Sequence, residues 1–167
     1  MKSKVILLTL ALCLLFSKNA LAFDVGDYVM SNINLFPLRG IKKIHVAVIP
    51  LHKEATALGL NEKELKTLVE ENLKERKITT CEEYEVVVRN YPVLAINVNV
   101  AGPAYNIRLC LDERVVLFRE KSVNCIATIW DRSFLGNHGN DAGVIKSSLS
   151  QLLAQFIKDY YSINPKK

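Results

Sequence analysis

Apolar and polar positions follow different periods in different parts of this chain. Ile44 to Leu51 is almost continuously apolar and β-branched, interrupted by His45 and ended by Pro50 and the polar stretch after it. That pattern predicts a central strand buried on both faces. Leu65, Leu68, Val69 and Leu73 recur at helical spacing. Asn61 stands at the N-cap position with Glu64 three residues on, and Lys74, Arg76 and Lys77 gather at the carboxyl end. The spacing, the cap and the charge order predict a helix over Asn61 to Lys77. The Val86-Val87-Val88 run within Glu83 to Arg89 predicts a further strand.

From Val93 to Ala101 the pattern alternates, with Leu94, Ile96, Val98 and Val100 on one side. Gly102-Pro103 marks a turn. Tyr105 to Leu111 alternates again, Asp112-Glu113-Arg114 reads as a tight connection, and Val115 to Arg119 and Ser122 to Trp130 read as two more strands. Short connections between strands describe an antiparallel meander. Ser133 to Gly143 holds three Gly, two Asn and one Asp, which predicts a loop. A stripe of Ile145, Leu149, Leu152, Leu153, Phe156, Ile157 and Tyr160 then predicts a helix over Ala142 to Ser162, stopped at Asn164-Pro165. The expected order is β-α-β-β-β-β-β-α. The fold class is α+β, an antiparallel or mixed sheet of about five to six strands with two main helices packed against it, both on one face. The step from the first strand through a helix to a neighbour supplies one parallel pair.

The amino-terminal pattern is of another kind. Lys2 and Lys4 precede an apolar run from Val5 to Phe16, which is shorter than the roughly 20 residues a membrane span takes. Ala20 and Ala22 then put small residues where signal peptidase cuts. Residues 1–22 are expected to be a cleaved signal peptide, residues 23–167 one globular domain, and residues 23–40 an arm packed on it. An uncleaved anchor and a lipidated Cys13 are the rivals, the second weakened by Leu12 in place of a small residue. The chain is expected to be exported through the secretory pathway to a periplasm or the outside, with no membrane-spanning segment after cleavage.

Charge changes with this reading. The 167 residues carry 22 Lys plus Arg against 17 Asp plus Glu; losing Lys2, Lys4 and Lys18 leaves 19 basic residues. No basic stripe stands out, so no nucleic-acid partner is expected. Cys81, Cys110 and Cys125 remain after Cys13 departs. An oxidising compartment permits one bridge among them, with Cys81–Cys110 preferred, or three buried or reduced thiols.

Nucleophile elbows, phosphate loops, dinucleotide fingerprints and metal-binding motifs are missing from the sequence. No catalytic residue, metal or cofactor is expected. The best local candidate is the Gly-rich loop 136–141, which precedes a helix whose free N–H groups suit an anion. His138 there offers a proton or a ligand nitrogen, with Asn140 and Asp141 beside it; the simpler reading is an ordinary connecting loop with a solvated His. Trp130, next to Asp131 and Arg132, suits an anchor for a ligand or partner, and equally a core plug.

The segment Ile44-His45-Val46-Ala47-Val48-Ile49-Pro50-Leu51, the closing strand Ile126-Ala127-Thr128-Ile129-Trp130-Asp131 and the helix end Phe156-Ile157-Lys158-Asp159-Tyr160 resemble a small α/β domain of bacterial envelope proteins. It is the domain found at the amino end of TolB and in CsgG-type curli-secretion lipoproteins. The resemblance runs from Ile41 on and is one of pattern; the chain lacks the lipobox many such proteins carry. It implies a non-catalytic role in assembly or binding at the envelope and transfers no site residue. The expected function is thus an exported, non-enzymatic envelope protein that binds a protein partner or self-assembles. A small secreted hydrolase or ligand-binding protein using loop 136–141 is the alternative, and a loop-bearing inhibitor or immunity-type protein a third.

Overall fold

The computed structural model describes residues 35–165, which fall within the second of two units of the chain, Asn34–Lys167. The expected signal peptide and most of the expected arm lie outside the described residues. The part of the arm that is described forms a 3-10 turn, Phe36–Leu38, which drives Leu38 fully into the core.

Strand β1 (Lys43–Val48) is followed by a short helix α1 (Lys53–Ala57), where the sequence suggested only a connection. Helix α2 (Glu62–Glu75) begins where the cap signals placed it: the Asn61 side chain accepts from the Lys63 and Glu64 amides at 2.9 and 3.2 Å. Glu64 does not reach back to close a capping box; its carboxylate takes Lys146 at 2.8 Å. A two-residue strand β2 (Thr79–Thr80) leads to helix α3 (Glu83–Arg89), then β3 (Val93–Ala101), β4 (Ala104–Leu117), β5 (Glu120–Asn137) and α4 (Ala142–Ile163).

The sheet has five strands in the order β2-β1-β3-β4-β5. β1 pairs in parallel with both β2 and β3, and β3, β4 and β5 form the antiparallel meander. The α+β class, the mixed sheet and the two packed main helices are as expected. α2 packs on β1, α4 on β4 and β5, and the two helices meet over the same face. Leu65, Val69 and Leu73 of α2 and Ile145, Leu149 and Phe156 of α4 close over Ile44, Val46, Leu94, Ile96, Ile107 and Leu109, all of them fully buried. The alternate side chains of each strand face the other way, as strand geometry requires.

Three expected elements differ. Residues 83–89 are helix, not strand, because a local cap outweighs the β-branched run: Glu82 and Glu85 form a reciprocal capping box, and Asn90 ends the turn in the left-handed region at φ 54°. Asp112-Glu113-Arg114 is not a connection. β4 runs straight through it, and the irregularity is a bulge on β5, where Leu111 pairs with Trp130 and Asp112 with Thr128, leaving Ile129 unopposed. The third difference is that 133–137 belong to β5. Gly136 pairs with Tyr105, whose ring lies where a Cβ on residue 136 would be, 2.8 Å away.

β3 pairs with β4 only as far as Asp112. Beyond it β4 and β5 pair with each other alone, as a two-stranded arm over residues 113–128 with its tip at Phe118-Arg119.

Candidate functional site

The loop after β5 is tied down by its own backbone. The His138 amide donates to the Pro103 carbonyl at 3.0 Å, and the Asn140 amide donates to His138 Nδ1 at 3.0 Å. With Nδ1 accepting, the ring proton sits on Nε2, which donates to the Gly102 carbonyl at 2.8 Å. His138 is 4% exposed, not solvated. It links the β3–β4 turn to the start of α4 and has no nitrogen left for a substrate or metal. Asn140 adopts φ 64°, which Asn tolerates through its short polar side chain. Asp141 caps α4 by accepting from the Gly143 amide at 2.7 Å. Its carboxylate already occupies the place an anion would take.

Trp130 lies eight residues up β5 from His138, about 26 Å along an extended strand, so the two are not brought together. Its ring is 4% exposed and packs edge-on to Phe156 at 5.0 Å. Nε1 donates to Asp159 Oδ2 at 3.0 Å, and Gln155 donates to Asp159 Oδ1 at 2.7 Å. Arg132 lies over the indole, 5.5 Å from its centroid, and 3.6 Å from Asp159 Oδ2. A buried carboxylate paired this fully is a fastener between α4 and β5, and Trp130 is part of it.

The three cysteines are free thiols, so the preferred Cys81–Cys110 bridge is not formed. Cys81 follows β2 and Cys110 is on β4, with β1 and β3 between. At about 4.8 Å per strand that separation exceeds disulfide reach. Burial pushes both thiols above the ordinary Cys value, which keeps them protonated and unreactive. His45, on the same face as Cys110, donates its Nδ1 hydrogen to the Cys81 carbonyl at 3.0 Å. Among the described residues no three His, Cys, Asp or Glu gather as a metal site.

What the sequence did not reveal is on the open face of the sheet. A groove of about 290 Å³ runs between α3 and the root of the arm. Its floor is Ala47 of β1, Ile49 just past the end of that strand, and Val93 and Ala95 of β3; Val86 and Val87 of α3 form one wall, Arg114 and Ile126 the other. α3 has no buried residue. It is held by its capping box and by Lys43, which donates to Glu85 at 2.8 Å and lies over the Tyr91 ring. That pairing lowers the Glu85 carboxyl and raises the Lys43 ammonium from their ordinary values. A helix placed this way turns valines outward: Val87 and Val88 are each 72% exposed, and Ile126 across the groove is 74% exposed.

Two acids sit at the arm's root. Asp112 accepts from Thr128 Oγ1 at 2.6 Å. Glu113 has no hydrogen-bond or ion-pair partner among the described residues, and burial raises its carboxyl above the ordinary range. None of the residues lining the groove is a Ser, His or Cys, so the chemistry on offer is apolar contact, with Asp112 and Arg114 as the charged side chains of β4 on that face. A triple-valine run inside a short segment with an E-x-x-E cap signature was the available clue.

No family model and no curated protein matches the chain. Among solved structures, a minor lipoprotein from Acinetobacter baumannii, in a 2.35 Å crystal structure, is similar over 74% of this chain and 93% of that one, with 9% identity and a TM-score of 0.35.

Proposed function

We propose that this chain is an exported, non-enzymatic envelope protein that binds another polypeptide through the open face of its sheet. The observation that carries the reading is the pair of exposed apolar side chains across the groove, Val87 and Ile126, on a fold whose other face is closed. Apolar surface left contiguous beside a groove marks an interaction site more often than not. The signal-like start of the sequence supports export. The hydrolase alternative loses its support because both ring nitrogens of His138 are engaged with the backbone.

The test is site-specific photo-crosslinking in cells that express the whole chain. A benzophenone side chain at Val87 or Ile126 is expected to give discrete adducts with a polypeptide. The same probe at Glu71, exposed on α2 away from the groove, is expected to give none. Loss of adducts at the first two positions, or equal labelling at all three, removes the reading.

A further inference from the structure

β4 outruns its inner neighbour. β3 pairs with it from Ala101–Ala104 as far as Val93–Asp112, and β4 continues to Leu117. Over residues 113–117 the strand has β5 on one side and, among the described residues, no strand on the other. The chain does not extend β3 along that edge. Pro92 stands just before Val93 and has no N–H to give a ladder. Asn90, at φ 54°, turns the backbone out of α3 ahead of it.

Alternate residues of an antiparallel strand turn both backbone groups to the same side, so about two or three of residues 113–117 hold out an N–H and a C=O with no strand to receive them. They do so along about 17 Å of edge. An edge of this kind is a template for one more strand, and Val115 and Val116 are residues that favour pairing.

The groove lies on the open side of this edge. Side chains of an added strand that point to that side fall between Val87 of α3 and the arm wall of Arg114 and Ile126. Arg114 is exposed and has no hydrogen bond or ion pair among the described residues. Asp112, next to it on the same face, is engaged by Thr128. A guanidinium carries donors and no acceptor, so the group that complements it is a carboxylate.

We propose that an extended segment of another polypeptide adds to β4 along residues 113–117, in line with β3, with the side chains of its open side apolar except for an acid against Arg114. Main-chain hydrogen bonds then give the affinity, and the groove and the cation give the selectivity. This mode rests on the open-face reading above and states which kind of segment that reading leaves open.

The experiment uses the full purified chain and a display library of random peptides about ten residues long. Selection on the parent chain is expected to enrich sequences that are apolar at every second position and hold Asp or Glu on that same side. Selection on Arg114→Glu is expected to keep the alternation and replace the acid with Lys or Arg. The best parent-selected peptide is then made plain and in two forms N-methylated on alternate amides, one form for each of its edges. One methylated form is expected to bind about tenfold more weakly, because it no longer pairs with β4, and the other to match the plain peptide. Val87→Asp is expected to weaken the plain peptide about tenfold as well. Unfolding midpoints close to the parent chain show that both variants fold.

No enrichment on the parent chain overturns the proposal, as does a pattern with apolar residues three or four apart, which is that of a helix. Equal binding of the two methylated forms overturns it too, as does an acid preference that survives in Arg114→Glu. Flotation of the chain with phosphatidylglycerol vesicles that Arg114→Glu abolishes also overturns it, by assigning that cation to a membrane surface. If any of these results stands beside discrete crosslinks from Val87 and Ile126 in cells, strand addition fails and the open-face reading holds. If those crosslinks are absent as well, both fail.

Discussion

On the helix-covered face of the sheet Phe156, Ile107 and Leu109 are fully buried, whereas on the open face and the arm Val87, Ile126 and Phe118 are 72%, 74% and 96% exposed. The same residue types serve the fold in one place and stand apart from it in the other. On the closed face, hydrophobicity follows the period of each element and the buried apolar side chains form one core. On the open face the run Val86-Val87-Val88 fits neither the helix it occupies nor a buried strand, and β4 and β5 continue past the last partner strand. Contiguous apolar surface that a fold leaves uncovered is the kind on which interaction sites are built.

The largest test of this contrast compares two phenylalanines. Phe156→Ala removes a ring packed between Trp130 and Tyr160 and is expected to cost about 3–5 kcal/mol. Phe118→Ala is expected to change stability by no more than about 0.5 kcal/mol. Chemical denaturation of both variants reads the difference, and equal costs would show that the arm tip is part of the core.

Next in size is Gly136→Ala. A Cβ there meets the Tyr105 ring at 2.8 Å, and that ring is held in place by a hydrogen bond of 2.6 Å to Ser148 on α4. Overpacking of this kind is expected to cost about 1–3 kcal/mol. In a Tyr105→Leu background the extra cost of Gly136→Ala should shrink, and a double-mutant cycle measures by how much. An unchanged cost would place the strain in the backbone of β5 instead of under the ring.

These two positions also show where the sequence speaks and where it does not. The bounds of α2 and α4 and of β1 and β3 are legible because cap, charge order and period agree locally. Gly136 and Asn137 imitate a loop, and only the ring of Tyr105, thirty-one residues earlier, makes a glycine suitable inside a strand. Asp112-Glu113-Arg114 imitates a turn because three charged residues rarely sit in a central strand, and these three sit beside and beyond the first residue of β3. The valine run imitates a strand because propensity is weak beside a capping box. His138 was visible as the most chemical residue of its loop, but its role depends on the carbonyls of Gly102 and Pro103, which spacing does not bring near. The groove was not legible, since its walls come from α3, misread as a strand, and from a stretch misread as a connection.

His138→Ala sharpens the comparison from the other side. It leaves the Gly102 carbonyl and the Asn140 amide without their partner, which is expected to cost about 1–3 kcal/mol. Crosslinking from Val87 should be unchanged once the variant is folded. A variant as stable as the parent but without adducts would return the function to the loop. Asn61→Ala, which removes the cap of α2 on the closed side, is expected to cost about 1 kcal/mol and likewise leave the groove untouched.

The smallest effect is that of an acid set where the closed face runs out into the arm. Burial holds the Glu113 carboxyl above its ordinary value of 4.5, so in the folded chain it ionises at a higher pH than in the unfolded chain. Its contribution to stability is therefore most favourable below about pH 4.5 and is lost as pH rises from there through the raised folded value. Glu113→Gln removes that ionisation. The variant should match the parent in acid and unfold at a higher temperature at neutral pH. Thermal denaturation across this pH range reads the difference, and equal midpoints for the two chains at every pH would show that the carboxyl is not held out of water.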